Sequence, residues 1–246
     1  MQRFKGKRIV VTGATSGIGY AGALRLAKEG AHVIATGRHS PRLHKTRQNL
    51  PESALVVPYY AEDPDSALSL AQHVASQGSL DGIWLNAGFA KIGGIGEVDV
   101  HHFDTMMSVN VRGPVLLMAQ LIPLLKNGAS IVVTGSTSAY EGSAMASIYA
   151  ATKGALLALV RSWASALGPQ GIRVNTLVPG PIDTAFRDFM LPTTRQTFEA
   201  DVRSRLALPY IGNADEAAAV ALFLLSDDAR FVTGSQYAVD GGLVMQ

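Results

Sequence analysis

The stretch TGATSGIG, residues 12–19, connects a short apolar run to a helical pattern. Its glycines let the main chain turn tightly and approach a pyrophosphate, whose charge meets the free N–H groups at the start of the helix. The spacing is Gly-x-x-x-Gly-x-Gly rather than the Gly-x-Gly-x-x-Gly of the dinucleotide-binding fingerprint. A tight strand-to-helix connection would use the same residues, but the position after the first strand candidate favours a dinucleotide site.

Short apolar runs alternate with longer helical patterns along the whole chain. The strand candidates are residues 8–12, 32–36, 54–58, 82–85, 130–135, 173–178 and 236–240. The helix candidates are residues 18–29, 64–77, 101–126, 149–167 and 214–225. This alternation predicts an α/β fold, a doubly wound parallel sheet of about seven strands with helices on both faces. No linker or repeat interrupts the pattern, so we predict a single dinucleotide-binding catalytic domain over residues 1–246.

One segment, residues 184–208, departs from this alternation. It follows the carboxyl end of a predicted strand and mixes Phe, Met and Leu with Arg187, Arg195, Arg203 and Arg205. Ligands of open α/β sheets bind beyond such strand ends, and long loops in compact domains tend to be functional. We therefore predict a substrate lid in this segment, with a subunit interface as the alternative.

The composition argues against several classes of protein. The chain has no cysteine, which excludes disulfides, thiolate metal sites and a cysteine nucleophile. Its six histidines lack metal-ligand spacing, so we expect no metal site. The net charge is +2 with scattered Lys and Arg, which predicts no nucleic-acid partner. The apolar stretch 115–125 is about half a membrane span and the start lacks a signal-like run, so we expect a cytoplasmic protein without a membrane partner.

The end of the second predicted strand reads ATGRHS, residues 35–40. In dinucleotide enzymes an acidic residue at this point binds the ribose hydroxyls of NAD, whereas an arginine accommodates the 2′-phosphate of NADP. Here Gly37 stands where an acid would stand, and Arg38 follows it. The sequence therefore predicts NADP (NADPH) as the cofactor, with NAD as the alternative. An Arg38 that merely faces solvent at the sheet edge would be the simpler interpretation.

The stretch IYAATKG, residues 148–154, places a tyrosine four residues before a lysine. Residues at this spacing share one face of a helix, so the ammonium of Lys153 is expected near the phenol of Tyr149. A nearby cation lowers the pKa of a tyrosine from its ordinary value of about 10. The phenol could then give a proton to a carbonyl oxygen or take one from an alcohol. A core tyrosine beside an exposed lysine is the alternative.

The chain resembles the short, single-domain branch of the short-chain dehydrogenase/reductase family from about residue 7 to residue 242. The motifs that carry the resemblance follow the family's order: TGATSGIG (12–19), NAG (86–88), SVNVRG (108–113), GSTS (135–138), YAATK (149–153), VPGPIDT (178–184) and TGSQYAVDGG (233–242). The resemblance implies hydride transfer between a nicotinamide cofactor and a ketone, an aldehyde or a secondary alcohol.

The resemblance also implies a role for each matched residue. Tyr149 would be the catalytic acid or base, and Lys153 would also hold the nicotinamide ribose. Ser136 would polarise the substrate oxygen, with Ser138 as a less well placed rival. Asn110 would interrupt its helix and hold a water for proton relay. The simpler alternatives are a turn serine and a helix-capping asparagine.

The expected cofactor-binding residues come from five separate motifs. The glycine turn and the end of the second strand supply Gly13, Thr15, Ser16, Gly17, Ile18, Gly19 and Arg38. The adenosine side is implied for Asn86, Ala87 and Gly88, and the nicotinamide amide for Pro179, Gly180, Ile182 and Thr184, together with Tyr149 and Lys153. Two positions depart from the family pattern: Leu85 replaces an asparagine, and Tyr60 or Ala61 stands where an aspartate often meets the adenine.

Three functions follow from these observations. The first is an NADP-dependent reductase of small carbonyl compounds. The second is a reductase of 3-oxoacyl thioesters on a carrier protein, because the arginines near the lid could meet an acidic carrier. The third is a cofactor-binding regulator without chemistry. Helices 100–126 and 149–167 carry more apolar surface than one side of a sheet can cover, at Leu116, Leu117, Leu121, Leu156, Leu157 and Val160. The resemblance implies that these helices pair with their copies across a two-fold axis and that a second contact near the C-terminus completes a homotetramer, with a monomer as the alternative.

Overall fold

A computed structural model describes residues 2–184 and 192–245. Its strands are β1 Arg8–Val11, β2 His32–Gly37, β3 Leu55–Pro58, β4 Leu80–Leu85, β5 Leu125–Thr134, β6 Arg173–Pro179, β7 Ile182–Asp183, β8 Gly212–Asn213 and β9 Gln236–Val239. Seven of them form one parallel sheet in the order β3-β2-β1-β4-β5-β6-β9, and β7 pairs with β8. The strand order reverses between β1 and β4, and such a switch point is where doubly wound sheets bind ligands.

Helices connect the strands. They are α1 Gly17–Lys28, α2 Ser40–Asn49, α3 Pro64–Gln77, α4 Val100–Met107, α5 Gly113–Leu121, α6 Ser138–Glu141, α7 Ser147–Leu167, α8 Pro192–Arg205 and α9 Ala214–Leu225. Local chemistry fixes several of their starts. The Asp63 side chain accepts a bond from the Asp65 N–H at the start of α3, and Asn213 and Glu216 form a capping box at α9.

The sheet is covered by helices on both faces. Alternate residues of each strand point to opposite faces, so Val10 packs in one core and Ile9 and Val11 in the other. The first core includes Leu70 of α3, Leu117 of α5 and Leu156 of α7, and the second includes Leu26 of α1 and Leu222 of α9. The predicted doubly wound α/β fold is therefore confirmed.

The prediction of a single helix over residues 101–126 is wrong. The main chain forms α4, a π turn over Ser108–Arg112, α5 and a short 3-10 turn, and β5 already begins at Leu125. One physical reason is Pro114, which has no N–H and cannot donate the α-helical bond to the carbonyl of Asn110. The helix is thus interrupted at the residue where the family resemblance implied an interruption.

Three further helices, α2, α6 and α8, were not predicted from the sequence, and α6 is a single turn of four residues. Helix α2 is polar, and Thr46 is its one buried residue, so its sequence has no apolar stripe from which a helix could be predicted. Helix α8 lies inside the segment 184–208 that was interpreted as a lid. Residues 185–191 of that segment lie outside the described part of the chain.

The run Val100–Leu124 is long and apolar enough, by length and composition alone, to cross a membrane. In this structure the π turn interrupts it, and Leu117, Met118 and Leu121 are buried against the sheet. These contacts make the run part of the protein core.

The apolar residues that were expected to pair with other copies mostly face inwards. Leu117, Leu121, Leu156, Leu157 and Val160 are buried within the single chain, because they form the helix stripes that pack on the sheet. Of the predicted set, Leu116 alone is partly exposed. That part of the argument for a tetramer was wrong.

Candidate active site

The predicted site residues gather at one edge of the sheet. The glycine turn follows β1, Arg38 follows β2, Asn86 follows β4 and Ser136 follows β5, while Pro179 ends β6. Because these strands are parallel, their carboxyl ends meet at the same edge. Residues from motifs far apart in sequence therefore line one crevice.

The glycine turn is a cradle with no room for side chains. Gly13 and Gly17 have φ values of +65° and +53°, which other residues rarely adopt. A Cβ atom on Gly13 would lie 2.9 Å from the Cα of Ala87, and one on Gly19 would lie 2.5 Å from the carbonyl oxygen of Gly13. Gly17 faces Thr184 across the crevice, so the turn and the end of the VPGPIDT motif lie together.

Asn86 connects the glycine turn to the end of β4. Its Nδ2 donates to the carbonyl oxygens of Thr12 at 3.2 Å and Gly13 at 3.3 Å. The hydroxyl of Thr12 accepts bonds from the N–H groups of Asn86 at 2.9 Å and Ala87 at 3.0 Å. Main-chain and side-chain bonds together hold the NAG motif against the turn.

Arg38 is exposed at the end of β2, directly after the buried Gly37. A Cβ atom on Gly37 would lie 2.6 Å from the hydroxyl oxygen of Thr15. Thr15 therefore excludes an aspartate or glutamate from position 37. Ser16 and Ile18, which flank Gly17, are partly exposed at the start of α1 and face the same edge.

The hydroxyl of Ser136 contacts both Tyr149 and Ser138, the other serine considered for its role. It shares a hydrogen bond with the phenol of Tyr149, and it donates to the Ser138 Oγ at 3.1 Å. The N–H of Ser138 in turn donates to Ser136 Oγ at 3.2 Å. Ser136 is thus the serine that contacts Tyr149, and Ser138 supports it from the start of α6.

Burial raises the pKa of Tyr149 to about 12, and the hydrogen bond with Ser136 offsets part of that rise. The expectation that Lys153 would lower this pKa is wrong for this structure. The Lys153 ammonium lies 5.6 Å from the centre of the Tyr149 ring and donates to the carbonyl oxygen of Thr134 at 2.9 Å. Desolvation of the phenolate therefore dominates, and Tyr149 is a protonated phenol at neutral pH.

Lys153 is almost completely buried on α7, with an exposed fraction of 3%. Burial lowers its pKa to about 8 because the charged form loses its hydration. The ammonium is close to Gly88, where a Cβ atom would lie 3.4 Å from Nζ. The Lys153 ammonium therefore lies between α7 and the NAG motif.

The side chain of Asn110 is fully buried and occupied by protein partners. Its Nδ2 donates to the Phe89 carbonyl oxygen at 2.7 Å and to the Thr152 hydroxyl at 3.1 Å, and its Oδ1 accepts from the Phe89 N–H at 2.8 Å. The amide thus fixes the segment after the NAG motif. A relay water would have to be held by main-chain atoms of the π turn, such as the Asn110 carbonyl that Pro114 cannot bond.

The VPGPIDT motif closes the other side of the crevice. The Pro179 carbonyl oxygen accepts a bond from the Thr137 N–H at 3.0 Å, close to Ser136. A Cβ atom on Gly180 would lie 2.6 Å from Asp240 Cβ, so this position needs glycine. Ile182 is buried in β7, next to the partly exposed Thr184.

The two positions that depart from the family pattern differ in exposure. Leu85, which replaces the asparagine of the family pattern, is buried in β4 and packs in the core, where an apolar side chain is suitable. At the end of β3, Tyr60 is exposed and Ala61 is buried. Tyr60 is therefore the side chain that faces solvent where the adenine was expected.

Three threonines that were not predicted to be site residues hold this arrangement together. Thr12 directly follows β1, Thr134 is the last residue of β5, and the Thr152 hydroxyl accepts a bond from the Asn110 amide. The signal for the first two was present, because both strands end in the same letters, IVVTG, at residues 9–13 and 131–135.

Comparison with known proteins gives the family. A family model described as Enoyl-(Acyl carrier protein) reductase matches residues 13–244. An oxidoreductase of Sarocladium schorii is 35% identical over 246 residues, which cover 99% of this chain and 98% of that protein. The chain belongs to the short-chain dehydrogenase/reductase family.

Two further proteins are similar to this chain over their full length. The 3-oxoacyl-acyl-carrier-protein reductase of Thermotoga maritima is 33% identical, over 99% of this chain and 100% of the relative. A solved structure of a blue fluorescent protein from a metagenomic library, in complex with NADPH, superposes with a TM-score of 0.92. It is 33% identical and the match covers 99% of this chain and 100% of that one.

Proposed function

We propose that this chain is an NADPH-dependent reductase of ketones or aldehydes, which in reverse oxidises secondary alcohols. The observation that carries the proposal is the protonated Tyr149 phenol, hydrogen-bonded to Ser136 and one helical turn from Lys153, beside a glycine turn shaped for a pyrophosphate. A non-catalytic regulator would have no need for this arrangement.

Each residue of the site would have a separate role in the reaction. A bound nicotinamide nucleotide would supply the hydride for reduction and accept it for oxidation. Ser136 would donate a hydrogen bond to the substrate carbonyl oxygen, and Tyr149 would give its proton to that oxygen. Lys153 uses one N–H on Thr134, so its other two donors can hold the ribose hydroxyls. A water held at the π turn near Asn110 would return a proton, through Lys153, to the Tyr149 phenolate.

The residues at the nucleotide end fit NADPH. Gly13, Gly17 and Gly19 leave space for the pyrophosphate, and the start of α1 offers free N–H groups to it. Thr15 excludes a carboxylate from position 37, so the usual partner of an unphosphorylated ribose is missing, and Arg38 is exposed beside it. The similar protein solved with NADPH supports the same choice.

Replacing Arg38 with alanine is expected to weaken NADPH binding by about 10- to 150-fold, the equivalent of about 1.5–3 kcal/mol for a charge-assisted hydrogen bond. NADH, which lacks the 2′-phosphate, should bind nearly as before. Fluorescence titration of both nucleotides measures the difference. The control is Lys45→Ala, which removes an exposed positive charge from α2. Equal losses for the two nucleotides in Arg38→Ala would reject the pairing.

Apolar side chains are exposed on two segments that flank the motifs of the proposed catalytic residues. The Gly93 N–H donates to the Met145 carbonyl oxygen at 2.9 Å, which joins the segment after the NAG motif to the segment before α7. Ile92, Ile95 and Met145 are exposed on these two segments. We propose that these side chains contact the substrate, which favours a substrate with an apolar group next to its carbonyl.

A carrier-protein thioester is the second candidate, supported by the similar reductase of Thermotoga maritima. It would need free positive charge for an acidic carrier, yet α8 arginines pair within the chain. Arg195 bonds Asp183 at 2.9 Å, and Arg205 lies 3.6 Å from Glu141 and 3.1 Å from Asp201. These pairs favour the small carbonyl substrate.

A substrate panel with both nucleotides tests the proposed function. Apolar ketones, aldehydes, sugars and a 3-oxoacyl thioester, free and on its carrier, would be followed by nicotinamide absorbance. We expect turnover with NADPH and apolar ketones or aldehydes. A preference for the carrier-bound thioester would select the second candidate, and nucleotide binding without any turnover would indicate the regulator.

We also propose that the protein assembles as a homotetramer. The outer face of α7 carries small exposed residues, Ala151 and Ala158, next to the partly exposed Leu159 and Trp163. Small residues let two helices approach closely, so α7 can pair with its copy across a two-fold axis to form a dimer. A second two-fold contact near the C-terminus, which the family resemblance implies, would join two dimers into the tetramer. Sedimentation at micromolar concentration should give about four times the chain mass of 25.9 kDa. An active species of one chain mass would contradict this expectation.

A further inference from the structure

The two neighbours of β4 in the sheet, β1 and β5, have the same five residues, IVVTG, at their carboxyl ends and the turns that follow, residues 9–13 and 131–135. In β1, Val11 pairs with Trp84, and in β5, Val133 pairs with Leu85. This register places Thr12 and Thr134 on opposite sides of Asn86, which follows β4. The two threonines have the same sequence context but bond to different parts of Asn86.

The Thr12 hydroxyl bonds to the main chain of Asn86, whereas the Thr134 hydroxyl bonds to the side chain of Asn86. The Trp84 Nε1–H donates to the Thr134 hydroxyl oxygen at 2.9 Å, and the same hydroxyl donates to Asn86 Oδ1 at 3.2 Å. A hydroxyl has a single proton, and an indole N–H can only donate. The Trp84 bond therefore directs the Thr134 proton towards Asn86.

This direction fixes the Asn86 amide. With Oδ1 occupied by Thr134, the Nδ2 group faces the carbonyl oxygens of Thr12 and Gly13, to which it donates. Trp84 is fully buried and packs closely against α1, where a Cβ atom on Gly22 would collide with Cζ3 of the indole and lie 2.7 Å from its Cη2. A rigid indole thus determines, through one hydroxyl, how the amide holds the glycine turn.

Thr134 also touches the catalytic half of the site, but with its main chain. Its carbonyl oxygen accepts the bond from the Lys153 ammonium. Any residue at position 134 keeps that carbonyl, so side-chain replacements separate the two contacts. The Thr134 hydroxyl bonds Asn86 at the nucleotide end of the site, and the Thr134 carbonyl oxygen bonds Lys153 at the proposed catalytic end.

We infer that Thr134, oriented by Trp84, is a positioning residue for nucleotide binding: its hydroxyl holds Asn86, and through Asn86 the glycine turn, in the conformation that receives the pyrophosphate. The inference rests on the proposed function in one respect, that the ligand of this turn is a nicotinamide nucleotide.

Replacing Thr134 with valine tests the inference, because valine has nearly the same shape and lacks the hydroxyl. The change leaves the buried Trp84 N–H without a partner and removes the bond to the partly exposed Asn86 Oδ1, so the NADPH dissociation constant should rise about 10-fold or more. The kcat at saturating NADPH should stay within about threefold of wild type, because the carbonyl remains. Thr134→Ser keeps the hydroxyl and should restore most of the affinity.

The chain offers a matched control one strand away. Thr176 on β6 is fully buried, and its hydroxyl has no hydrogen-bond partner within residues 2–184 and 192–245. Thr176→Val therefore removes the same atoms without breaking a bond, and NADPH affinity should be unchanged. A general weakening of the core would instead affect both variants alike.

A second measurement needs neither nucleotide nor turnover. The chain has two tryptophans, so its nitrogen-15 NMR spectrum shows two indole N–H signals, assigned with Trp163→Phe. In the ligand-free protein, Thr134→Val should shift the Trp84 signal and speed its exchange with solvent, while Thr176→Val should not. The positioning bond is thereby observed directly.

Each outcome has a distinct meaning. Wild-type NADPH affinity in folded Thr134→Val, or a loss of kcat as large as the loss of affinity, overturns the inference. If Thr134→Val does not fold, Trp84→Phe replaces it, and an affinity within error of wild type would overturn the inference equally. A wild-type protein that binds no nicotinamide nucleotide would instead reject the proposed function, and the indole signal would still report whether the hydroxyl holds Trp84.

Discussion

Replacing Tyr149 with phenylalanine is expected to reduce kcat by more than about 100-fold, the lower end of what a positioned proton donor contributes. The change removes the hydroxyl that bonds Ser136 and leaves the ring beside the Lys153 ammonium in place. The dissociation constant of NADPH should therefore change little. Because burial keeps the phenol protonated at neutral pH, the loss should appear fully in ketone reduction at pH 7.

The matched control for this prediction is Tyr140→Phe. Tyr140 lies on α6, nine residues earlier in the chain, and its hydroxyl bonds the Gln236 side chain rather than Ser136. It should retain most of the activity. Steady-state kinetics with saturating NADPH and fluorescence titration of the nucleotide give the two quantities. If Tyr149→Phe kept more than about a hundredth of the wild-type kcat, the assignment of Tyr149 as proton donor would be wrong.

Much of the fold could be predicted because its main features are local patterns. The apolar runs of β1, β2 and β6 are buried on both faces, and such strands are visible in sequence as near-continuous β-branched stretches. Helix α2 was missed because its residues face solvent and carry no apolar period. The apolar pattern did not show the break between α4 and α5 because both halves are apolar, whereas Pro114 and the family resemblance at Asn110 both indicated it.

The position of the site residues could also be predicted, because parallel strands bring their carboxyl ends together. Their electrostatics could not. The sequence showed a cation one turn from Tyr149, but it did not show that Lys153 is buried, that the partly exposed Tyr149 loses the hydration of its phenolate, or that Lys153 bonds Thr134. Desolvation then reversed the expected direction of the Tyr149 pKa. The role inferred for Thr134 likewise depends on strand register, which the repeated IVVTG letters alone do not give.

Lys153 combines two proposed roles in one ammonium group, so its replacement should have two effects. Lys153→Ala is expected to lower kcat by about 100-fold or more and to raise the NADPH dissociation constant by about 10-fold or more. The first effect follows from the loss of the cation beside Tyr149, and the second from the loss of the donors for the ribose hydroxyls. Lys153→Met, which fills the same buried space, should behave like Lys153→Ala if the charge is responsible.

The pH dependence of NADPH binding distinguishes the ammonium from the bulk of the side chain. Burial lowers the pKa of Lys153 to about 8 in the free protein, so the ammonium is present below pH 8 and is lost above it. A ligand that bonds to the ammonium must restore its proton, so the dissociation constant should be flat from pH 7 to 8 and then rise, by at most about tenfold per pH unit. In Lys153→Met the rise should disappear, whereas the exposed Lys126→Met should keep it. The same rise in Lys153→Met and wild type, measured by nucleotide fluorescence, would show that another group titrates and that Lys153 does not hold the ribose.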